Sequence, residues 1–439
     1  MGVPKNDGGA ARAAAARAID AVLHDGRSLK AVLAESLQDI ADVRDRALVE
    51  AICFHALRHQ RRYRHALSRW MDRPLPQREH AIESLLLAGL ATLTEQGQPA
   101  PAAESATAEA ARLLRRPAFV GLANALLRRA SREQWPASDD PAIEHSYPDW
   151  LAARLRADWP GDWQGLLAAG NQVAPLWLRV NPRTTDRTAY AQTLRAMDIA
   201  SEAPEYPAHA LRLDQGAAPT QLPGWSAGMV SVQDAAAQLT VAALSPRDGE
   251  CILDACCAPG GKSAALLEAA DIELTAIDND PQRMARVDAA LKRLRLDDRA
   301  TLRTADAVDL DAWWNGASFD AVLLDAPCSA TGIVRRQPDI KWHRRESDLA
   351  ALNATQDRLL DALWRTVKPG GRLLYATCSI LRVENAERIA AFLARTPDAA
   401  ELPLDARFGR AANPGRQRMP GEDGMDGFYY ALLGRQSAH

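Results

Sequence analysis

Apolar residues recur at helical spacing over the first third of the chain. Because positions three and four apart lie on one face of a helix, this pattern predicts amphipathic helices. Glycine and proline interrupt it at Gly26, at 73–76 and at 97–101. Residues 9–134 are therefore predicted to form a small all-α bundle with short connections. The apolar series are Ile19, Val22, Leu29, Val32 and Leu33, followed by Leu48, Ala51, Ile52, His55, Ala56 and Leu57.

The pattern changes after residue 134. Residues 176–181 predict a strand and 187–197 a helix, with proline and glycine punctuating the rest of 135–228. This stretch is predicted to be a small α+β module.

From residue 229 onward, strand and helix patterns alternate. Strict alternation of this kind predicts a doubly wound, Rossmann-like parallel sheet over 229–439. The run Lys-Pro-Gly-Gly at 368–371 is predicted to stop a helix before the next strand. The strand candidates are 251–255, 273–277, 300–304, 321–325, 372–377 and 428–433, and the helix candidates are 233–243, 262–270, 281–294, 347–367 and 384–395.

The chain length fits a multidomain protein. At roughly 100–200 residues per domain, 439 residues allow two to four domains. The pattern predicts three, with boundaries at 1–134, 135–228 and 229–439.

Charge is informative only locally, since the net charge of the whole chain is −3. Arginines crowd two predicted helices of the bundle. Solvated helix faces would explain any one of them, but two clusters in one small bundle favour an RNA-facing surface. The first cluster is Arg58, Arg61, Arg62, Arg64 and Arg69 with His59 and His65, and the second is Arg112, Arg115, Arg116, Arg128, Arg129 and Arg132.

The six cysteines form no C-x-x-C pair, so no metal site is predicted. Neither a signal peptide nor an apolar run of about 20 residues is present in the sequence. We therefore expect a cytoplasmic protein, not attached to membranes, whose thiols are reduced and available for chemistry. Cys53 and Cys251 fit the ordinary role of a small buried hydrophobe.

A glycine-rich turn, Pro259-Gly260-Gly261-Lys262, follows a predicted strand and opens a helix. Glycines there allow the backbone to approach a ligand. The P-loop pattern fails because Cys256 stands where it needs glycine, and G-x-G-x-x-G is absent. The turn therefore predicts a nucleoside ligand without phosphates.

Two acids follow the next two predicted strands. Asp278 is placed to accept hydrogen bonds from ribose hydroxyls, and Asp306 is placed to meet an adenine amino group. Either one alone could instead be a helix cap, which is the commoner role. The series of a glycine turn and two acids at three strand ends favours a ligand site.

Two cysteines and an acid lie just past two further predicted strands. Cys328 follows Asp325 in the segment 323–329, and Cys378 ends a similar segment at 373–379. Both thiols precede a serine in turn-like sequence, which is unusual for cysteines that only fill a core. A thiolate nucleophile with an acid and a base nearby is the chemistry that these groups predict.

These segments resemble the motifs of the RNA (cytosine-5) methyltransferase family with a two-cysteine active site. Over its whole length the chain is similar to the bacterial small-subunit rRNA members, whose front domain resembles the antitermination factor NusB. That part of the likeness lies in 56–58 and 119–128. The resemblance implies a NusB-like bundle for 1–134 and an S-adenosylmethionine-dependent methyltransferase domain for 229–439.

The resemblance also implies an activity, methylation of C5 of a cytosine in 16S rRNA. Cys378 would add to C6 of the base, and Cys328 would assist proton removal and product release. Asp325 would be a catalytic acid that also lies near the cofactor. The expected partner is 16S rRNA, free or in an early assembly particle, and we expect a monomer.

The family pattern places a set of residues around S-adenosylmethionine. Family members often carry alanine at the position of Cys257, so this chain departs mildly there. The segment 335–342 matches a loop that lies near RNA in such enzymes. The expected cofactor-binding residues are Cys256, Cys257, Ala258, Pro259, Gly260, Gly261, Lys262, Asp278, Arg283, Asp306 and Asp325.

Three other hypotheses remain open on the sequence. A tRNA cytosine-C5 methyltransferase would use the same chemistry, and the helical front end favours rRNA by resemblance alone. A non-catalytic RNA-binding assembly factor would not need Cys328 and Cys378. A dinucleotide oxidoreductase is disfavoured by the missing G-x-G-x-x-G.

Overall fold

The computed structural model describes residues 8–95, 99–213 and 216–437. These residues form two compact units. Unit 1 contains the described residues up to Gln172 together with Val334–Glu346, and unit 2 contains Val173–Ile333 together with the described residues from Ser347. In these described ranges, no helix is long and apolar enough to cross a membrane.

Unit 1 is helical, which confirms the predicted all-α front end. Its central helix is Gly9–Leu23, which packs against five other helices of the unit and buries a face rich in alanine. Small side chains on that face let the neighbouring helices approach closely. Part of the predicted break at 97–101 lies outside the described residues. The α-helices of unit 1 are Gly9–Leu23, Leu29–Ser36, Val43–Trp70, His80–Glu95, Ala100–Leu113, Val120–Arg132, Pro141–Glu144, Asp149–Asp158, Trp163–Ala169 and Ile340–His343.

The segment Val334–Glu346 is an integral part of unit 1 although it is distant in sequence. Asp339 Oδ2 accepts a hydrogen bond of 2.9 Å from the Leu29 backbone N–H, at the start of helix Leu29–Ser36. Trp342 Nε1 donates to the Leu57 carbonyl at 2.8 Å. The Lys341 ammonium is buried and donates to three oxygens, which are Arg58 O, Ser146 O and Asn171 Oδ1.

The segment that resembles an RNA-proximal loop is therefore mostly a packing element. Within 335–342, Gln337 is exposed, Arg336 and Trp342 are half-buried, and the other residues are buried.

The first part of unit 2 is a small antiparallel sheet with one helix against it. The strands are β1 (Leu176–Val180), β2 (Ala210–Leu213) and β3 (Val230–Val232), in the order β2-β1-β3. The helix Arg187–Ala196 contributes Tyr190 and Leu194 to their apolar core. The predicted strand and helix of the α+β module agree with these elements.

The rest of unit 2 contains a nine-stranded sheet. Strands run in the order β10-β11-β12-β8-β7-β4-β5-β6, and β9 also pairs with β12. The strands are β4 (Cys251–Ala255), β5 (Glu273–Asp278), β6 (Ala300–Thr304), β7 (Phe319–Asp325), β8 (Val367–Thr377), β9 (Ala399–Leu402), β10 (Arg410–Ala411), β11 (Arg416–Arg418) and β12 (Phe428–Arg435).

Helices cover both faces of this sheet, as the alternating pattern predicted. Ile252 and Leu323 belong to one core, whereas their neighbours Leu253 and Val322 belong to the core on the opposite face. Successive residues of a strand point to opposite faces, so strands buried on both sides are continuously apolar. The helices are Ala235–Leu244, Gly261–Ala269, Pro281–Leu294, Leu310–Trp313, Asp348–Trp364 and Ala386–Arg395.

The expectation of a purely parallel sheet is wrong at one edge. Strands β6, β5, β4, β7 and β8 are parallel, but β12 is antiparallel to β8. The strand β12 enters the sheet as the partner of β11 in an antiparallel pair, which needs no crossover helix. The short strands β9 to β11 follow no apolar alternation and were not predicted.

The predicted helix stop at 368–371 is also wrong. The preceding helix ends at Trp364, and β8 begins at Val367, so the Lys-Pro-Gly-Gly run lies inside the strand. The pairing of β8 with β7 is irregular between Phe319 and Ala321, and Gly370 has φ 78°. A bulge of this kind tolerates proline and left-handed glycine within a strand.

The sheet has a topological switch at β4, whose neighbours β5 and β7 continue the sheet in opposite directions. Ligands of open α/β sheets bind outside the carboxyl ends of the strands at such a point. The five parallel strands end there at the segments that the sequence singled out.

Candidate active site

A cavity of about 490 Å³ lies at the carboxyl ends of the parallel strands. It brings together eight of the predicted site residues, and its other lining residues were not predicted. The predicted residues are Cys256, Ala258, Asp278, Arg283, Asp306, Asp325, Cys328 and Cys378, and the others are Ile277, Asn279, Ala305, Ala307, Val308, Ala326, Pro327, Ala330, Thr355, Arg358 and Leu359.

The turn after β4 shapes one wall of this cavity. Cys256 and Gly260 both have left-handed backbone, with φ 58° and 93°. A Cβ atom on Gly260 would lie 3.1 Å from the Val287 Cα atom, so glycine is required by both conformation and space. Pro259, Gly260 and Gly261 do not line the cavity but determine the path of the turn.

The paired cysteines of this turn face different surroundings. Cys256 lines the cavity, whereas Cys257 is buried in the apolar core. Burial raises the pKa of both thiols well above the ordinary range. Cys257 therefore fills the volume that alanine often fills in the resembling family, and it remains a neutral thiol.

Asp278, at the end of β5, is held by donors of the protein itself. Its Oδ2 atom accepts from the Ala258 backbone N–H at 3.2 Å and lies 3.3 Å from the Arg283 guanidinium. Arg283 also donates to the Ala258 carbonyl at 3.1 Å. The carboxylate of Asp278 thus fixes the glycine turn while lining the cavity.

Asp306 follows β6 and is exposed. Its Oδ1 atom accepts from the Val308 backbone N–H at 3.1 Å. This hydrogen bond closes a local turn and does not cap a helix, since the next helix begins at Leu310 with Asp309 as its N-cap. The Asp306 side chain also lines the cavity.

Lys262 and Asp325 form an ion pair at the centre of the site, with 2.6 Å between Nζ and Oδ2. Burial lowers the pKa of Lys262, but the charge and hydrogen bond of Asp325 and the charge of Cys378 outweigh it, so the pKa is raised. The ammonium also lies 5.3 Å from the ring centre of Phe428. Lys262 is thus a half-buried ammonium whose charged form is favoured and which orients Asp325.

The two thiols lie side by side, with 3.6 Å between the sulfur atoms of Cys328 and Cys378. Cys328 is buried and Cys378 is half-buried. The hydrogen bond to Cys378 and burial raise the pKa of Cys328 well above its ordinary value, and the charges of Cys378 and Glu384 act in the same direction. These influences disfavour ionisation of Cys328 while Cys378 is free.

Two buried acids near the site were missed by sequence reasoning. Asp254 lies in β4, and its Oδ2 atom accepts a 2.5 Å hydrogen bond from Ser263. Burial raises the pKa of Asp254 to about 7. Glu384 accepts hydrogen bonds from the serines after both thiols. The sequence assigned Asp254 only to a strand and Glu384 only to a helix, because the role of each depends on the residues that the fold places around it.

The arginine clusters of unit 1 are largely engaged within the unit. Arg58 is buried and donates to the Arg335 carbonyl. Most of the others pair with acids, as in Arg61–Asp149, Arg62–Glu144, Arg64–Glu83, Arg112–Glu109, Arg116–Glu79, Arg128–Glu104 and Arg129–Glu133. Among the described residues, the side chains of Arg69, Arg115 and Arg132 are exposed and have no acidic partner.

One group of metal-ligand type lies among the described residues of unit 1. Asp20, His24 and His80 bring one ligand atom each within 4.8 Å of one another. The hydrogen bond with Asp20 raises the pKa of His80, and Ser84 also donates to Asp20 at 3.0 Å. These hydrogen bonds account for the arrangement.

The comparisons with known proteins agree with the fold. The family model described as 16S rRNA methyltransferase RsmB/F matches residues 241–434. Its associated ferredoxin-like domain matches residues 147–220, and the NusB family matches residues 9–132.

Relatives and solved structures cover nearly the whole chain. A ribosomal RNA small subunit methyltransferase B from Xanthomonas campestris pv. campestris is 51% identical over 427 residues, which cover 97% of each chain. The crystal structure of PH0851 has a TM-score of 0.79 at 21% identity and covers 99% of each chain. The structure of NSun6 from Pyrococcus horikoshii with SFG has a TM-score of 0.61 at 18% identity, covering 67% of this chain and all of that one.

The Rossmann-like sheet, its switch-point cavity and the matched domains define an RNA methyltransferase with a NusB-type helical domain. Within that class, the chain belongs to the family of 16S rRNA methyltransferases B and F, since a full-length relative is 51% identical.

Proposed function

We propose that this chain transfers a methyl group from S-adenosylmethionine to C5 of a cytosine in 16S rRNA, through a covalent adduct between Cys378 and C6. The observation that carries the proposal is the 3.6 Å approach of two thiols in one cavity, beside the Lys262–Asp325 pair. A reaction with a nucleophile, a base and an acid needs such a set.

The chemistry of cytosine explains why two thiols are needed. Addition of a thiolate to C6 breaks the C5=C6 double bond and makes C5 nucleophilic. C5 then bonds to the methyl carbon, the bond from that carbon to the sulfonium sulfur breaks, and its electron pair stays on that sulfur. Cys328, as a thiolate at this step, takes the proton from C5. The C6–S bond breaks as the C5=C6 bond forms again, so the sulfur leaves as a thiolate and the ring keeps its electrons.

The electrostatics of the pair support the assignment of Cys378 as nucleophile. Cys378 is the more exposed thiol, and its charge interacts favourably with the Lys262 ammonium. Cys328 is more buried, and the charge of Glu384 opposes its ionisation. A reactive cysteine needs an electropositive and accessible surrounding, which Cys378 has.

Asp325 completes the set as the group that meets the base. Its carboxylate lines the cavity and is oriented by Lys262 at 2.6 Å. In the proposed reaction, Asp325 holds the N3 and amino edge of the cytosine while Cys378 adds to C6. Extrusion of the cytosine from its stack would bring it to these residues.

The donor set of the cavity fits S-adenosylmethionine. The glycine turn lacks a phosphate cradle, and Asp278, Arg283 and Asp306 offer polar groups for a nucleoside. Cys256, Ala258 and Ile277 supply an apolar wall. When bound, this cofactor supplies an electrophilic methyl group on a sulfonium.

We also propose the three-domain division at 1–134, 135–228 and 229–439, with 1–134 contacting rRNA as part of a monomer. The exposed arginines Arg69, Arg115 and Arg132 support an RNA contact. The paired arginines do not contribute to that support.

The test compares two cysteine variants by methylation of 16S rRNA with labelled S-adenosylmethionine. Cys378→Ala should lose turnover by at least about 1,000-fold and form no covalent RNA adduct, because it lacks the nucleophile. Cys328→Ala should accumulate an adduct that survives denaturing electrophoresis, because the C5 proton stays and β-elimination cannot proceed.

The control is Cys251→Ala, which removes a half-buried thiol outside the cavity and should behave as the wild type. Robust turnover by Cys378→Ala would overturn the nucleophile assignment. Trapping by Cys378→Ala and not by Cys328→Ala would reverse the two roles. Labelling of tRNA in place of 16S rRNA would favour the other substrate.

A further inference from the structure

One buried carboxylate joins the two loops that carry the thiols. Glu384 is fully buried. Its Oε1 atom accepts from the Ser329 backbone N–H at 2.7 Å, and its Oε2 atom accepts from the Ser329 and Ser379 hydroxyls at 2.5 Å each. Ser329 directly follows Cys328, and Ser379 directly follows Cys378. A single side chain thus binds the residue after each thiol.

The surroundings of Glu384 are polar and tightly connected. Thr331 Oγ1 lies 3.1 Å from the Ser379 hydroxyl and 3.3 Å from the Ser329 hydroxyl. The Gln356 amide nitrogen lies 3.4 Å from Glu384 Oε1 and donates to the Pro327 carbonyl at 2.9 Å. A buried carboxylate is retained only where hydrogen bonds replace its hydration, and this network supplies them.

The backbone of Glu384 is fixed as firmly as its side chain. The Tyr375 hydroxyl in β8 donates to the Glu384 carbonyl at 2.7 Å. The next residue, Asn385, donates to the Ser379 carbonyl at 2.9 Å and accepts from the Thr377 hydroxyl at 2.6 Å. The carboxylate is therefore anchored to β8, and it reaches across to the loop after β7.

We propose that Glu384 is a positioning residue that ties the loop after β7 to the loop after β8 and so sets the separation of the Cys328 and Cys378 sulfurs. This inference rests on the proposed function for its mechanistic meaning. The coupling of the two thiols by one carboxylate can be measured without an assay of catalysis.

The separation matters because the two thiols serve adjacent atoms of one ring. Cys378 bonds to C6, and the proton to be removed is on C5, so Cys328 must stay within a few ångströms of Cys378 throughout the reaction. Glu384 does not line the cavity, and it acts through Ser329 and Ser379. Loosening this tie should impair release of the product more than formation of the adduct.

The tie also distinguishes the two thiols chemically. The charge of Glu384 is one of the influences that keep Cys328 protonated. Without that charge, Cys328 should ionise more readily and react faster with an alkylating agent. This effect concerns one sulfur selectively, whereas a general loosening of the fold would expose all buried thiols.

The experiment uses the full-length protein and the variants Glu384→Gln and Glu384→Asp. Alkylation by iodoacetamide at pH 7.5 is followed at each cysteine by mass spectrometry. In Glu384→Gln, we expect Cys328 to react about 10-fold faster, with Cys53 and Cys257 unchanged, because the neutral amide removes the charge and one acceptor. Glu384→Asp should restore the slow rate at least in part.

Kinetics provide the second readout. In Glu384→Gln, the first turnover of methyl transfer should stay within about 3-fold of the wild type, while steady-state kcat falls at least 10-fold and adduct accumulates. Easier ionisation of Cys328 alone would speed proton removal, so the fall in kcat reports the lost alignment of the two thiols. KM for S-adenosylmethionine should not change. The matched control is Glu387→Gln, an exposed glutamate in the following helix, which should change none of these quantities.

Equal loss of first-turnover and steady-state rates, or equal acceleration of alkylation at all cysteines, would overturn the positioning role and leave a structural one. If Glu384→Gln does not fold, Ser379→Ala removes one hydroxyl of the tie. It should raise the ratio of alkylation at Cys328 to alkylation at the other cysteines, and lower the ratio of steady-state kcat to the first-turnover rate, each by a smaller factor than Glu384→Gln. Unchanged ratios in Ser379→Ala would then overturn the proposal. Failure of the proposed function would appear separately, as turnover by Cys378→Ala.

Discussion

At the scale of single residues, the site gives side chains of the same type different chemical properties. Cys378 and Cys328 differ in exposure and in one of the charges that act on them, since Lys262 acts on the first and Glu384 on the second. Asp325 and Asp254 differ likewise, because one pairs with Lys262 and the other is buried under the turn. Pairs of titratable groups with opposed surroundings are typical of acid–base and nucleophilic sites.

Asp254 provides a test through pH. Burial raises its pKa to about 7, above the unfolded value of about 3.9. Between these values the folded protein binds more protons than the unfolded chain, so the free energy of unfolding decreases as pH rises towards 7. Asp254→Asn removes this titration. The stability of the wild type relative to this variant should fall by on the order of 3 kcal/mol from pH 4 to pH 7.5.

The measurement is urea unfolding of both proteins across that pH range. Asp311→Asn, which changes an exposed acid, should give a curve parallel to the wild type. A constant difference between wild type and Asp254→Asn would mean that the Asp254 carboxyl is ionised throughout.

At the scale of elements, the loops after β7 and β8 are packed backbone against backbone. The Gly332 N–H donates to the Cys378 carbonyl at 2.8 Å. A Cβ atom on Gly332 would lie 2.3 Å from the Gly427 carbonyl oxygen and 2.8 Å from that of Cys378. Backbone atoms cannot move aside as a flexible side chain can, so the position of the Cys378 loop depends on the absence of a side chain at 332.

Gly332→Ala is therefore expected to displace the Cys378 loop. The free energy of unfolding should fall by about 1–3 kcal/mol, as for other overpacked sites, and methyl transfer should fall further than this loss of stability explains. Thermal unfolding and the methylation assay measure the two effects. Gly216→Ala has open space around the new methyl group and should be neutral. Full activity of Gly332→Ala would mean that the loop tolerates the shift.

The helices and strands also show which parts of the fold could be predicted from the sequence alone. The strand β4 is buried along most of its length and has the predicted bounds, because a strand buried on both faces is recognisable from its apolar residues. The strand β6 also has the predicted bounds, although most of its residues are exposed. The short strands β9 to β11 form because partner strands are available to pair with them, and the chain follows its path through 368–371 because of a bulge. The spacing of apolar residues along the sequence carries no information about either. In the site, motif residues were found, whereas Asp254 and Glu384 depend on tertiary neighbours.

At the scale of the whole molecule, the arginine clusters must be judged by what they pair with. Among the described residues, Arg69, Arg115 and Arg132 are the cluster members that are exposed without an acidic partner. Changing all three to glutamine should weaken binding of 16S rRNA. The slope of log affinity against log salt should decrease in magnitude by about 0.7–0.9 for each phosphate that an arginine no longer neutralises.

The salt dependence is measured by filter binding, with Arg17→Gln as a control outside both clusters. Arg17 is exposed on helix Gly9–Leu23. An unchanged salt slope in the triple variant would indicate that the RNA-binding surface does not lie on unit 1.

The place of Val334–Glu346 in unit 1 has a consequence for the order in which the protein is made. When Gln172 has been synthesised, 161 further residues, 173–333, must follow before the segment that completes unit 1 exists. At about 5–20 residues per second, this takes on the order of 10–30 s. During that interval the Leu29 amide lacks Asp339, and the oxygens of Arg58, Ser146 and Asn171 lack Lys341.

During synthesis, unit 1 therefore remains incomplete until its segment 334–346 has been made. Chains stalled at residue 230 should be cleaved by a low dose of protease within 8–172, and chains stalled past residue 390 should resist. A stalled chain of the Lys341→Ala variant should remain sensitive at both lengths. Early resistance at residue 230 would show that the unit closes without its late segment. Residues 334–346 thus complete unit 1, although they are synthesised between the two segments that form unit 2.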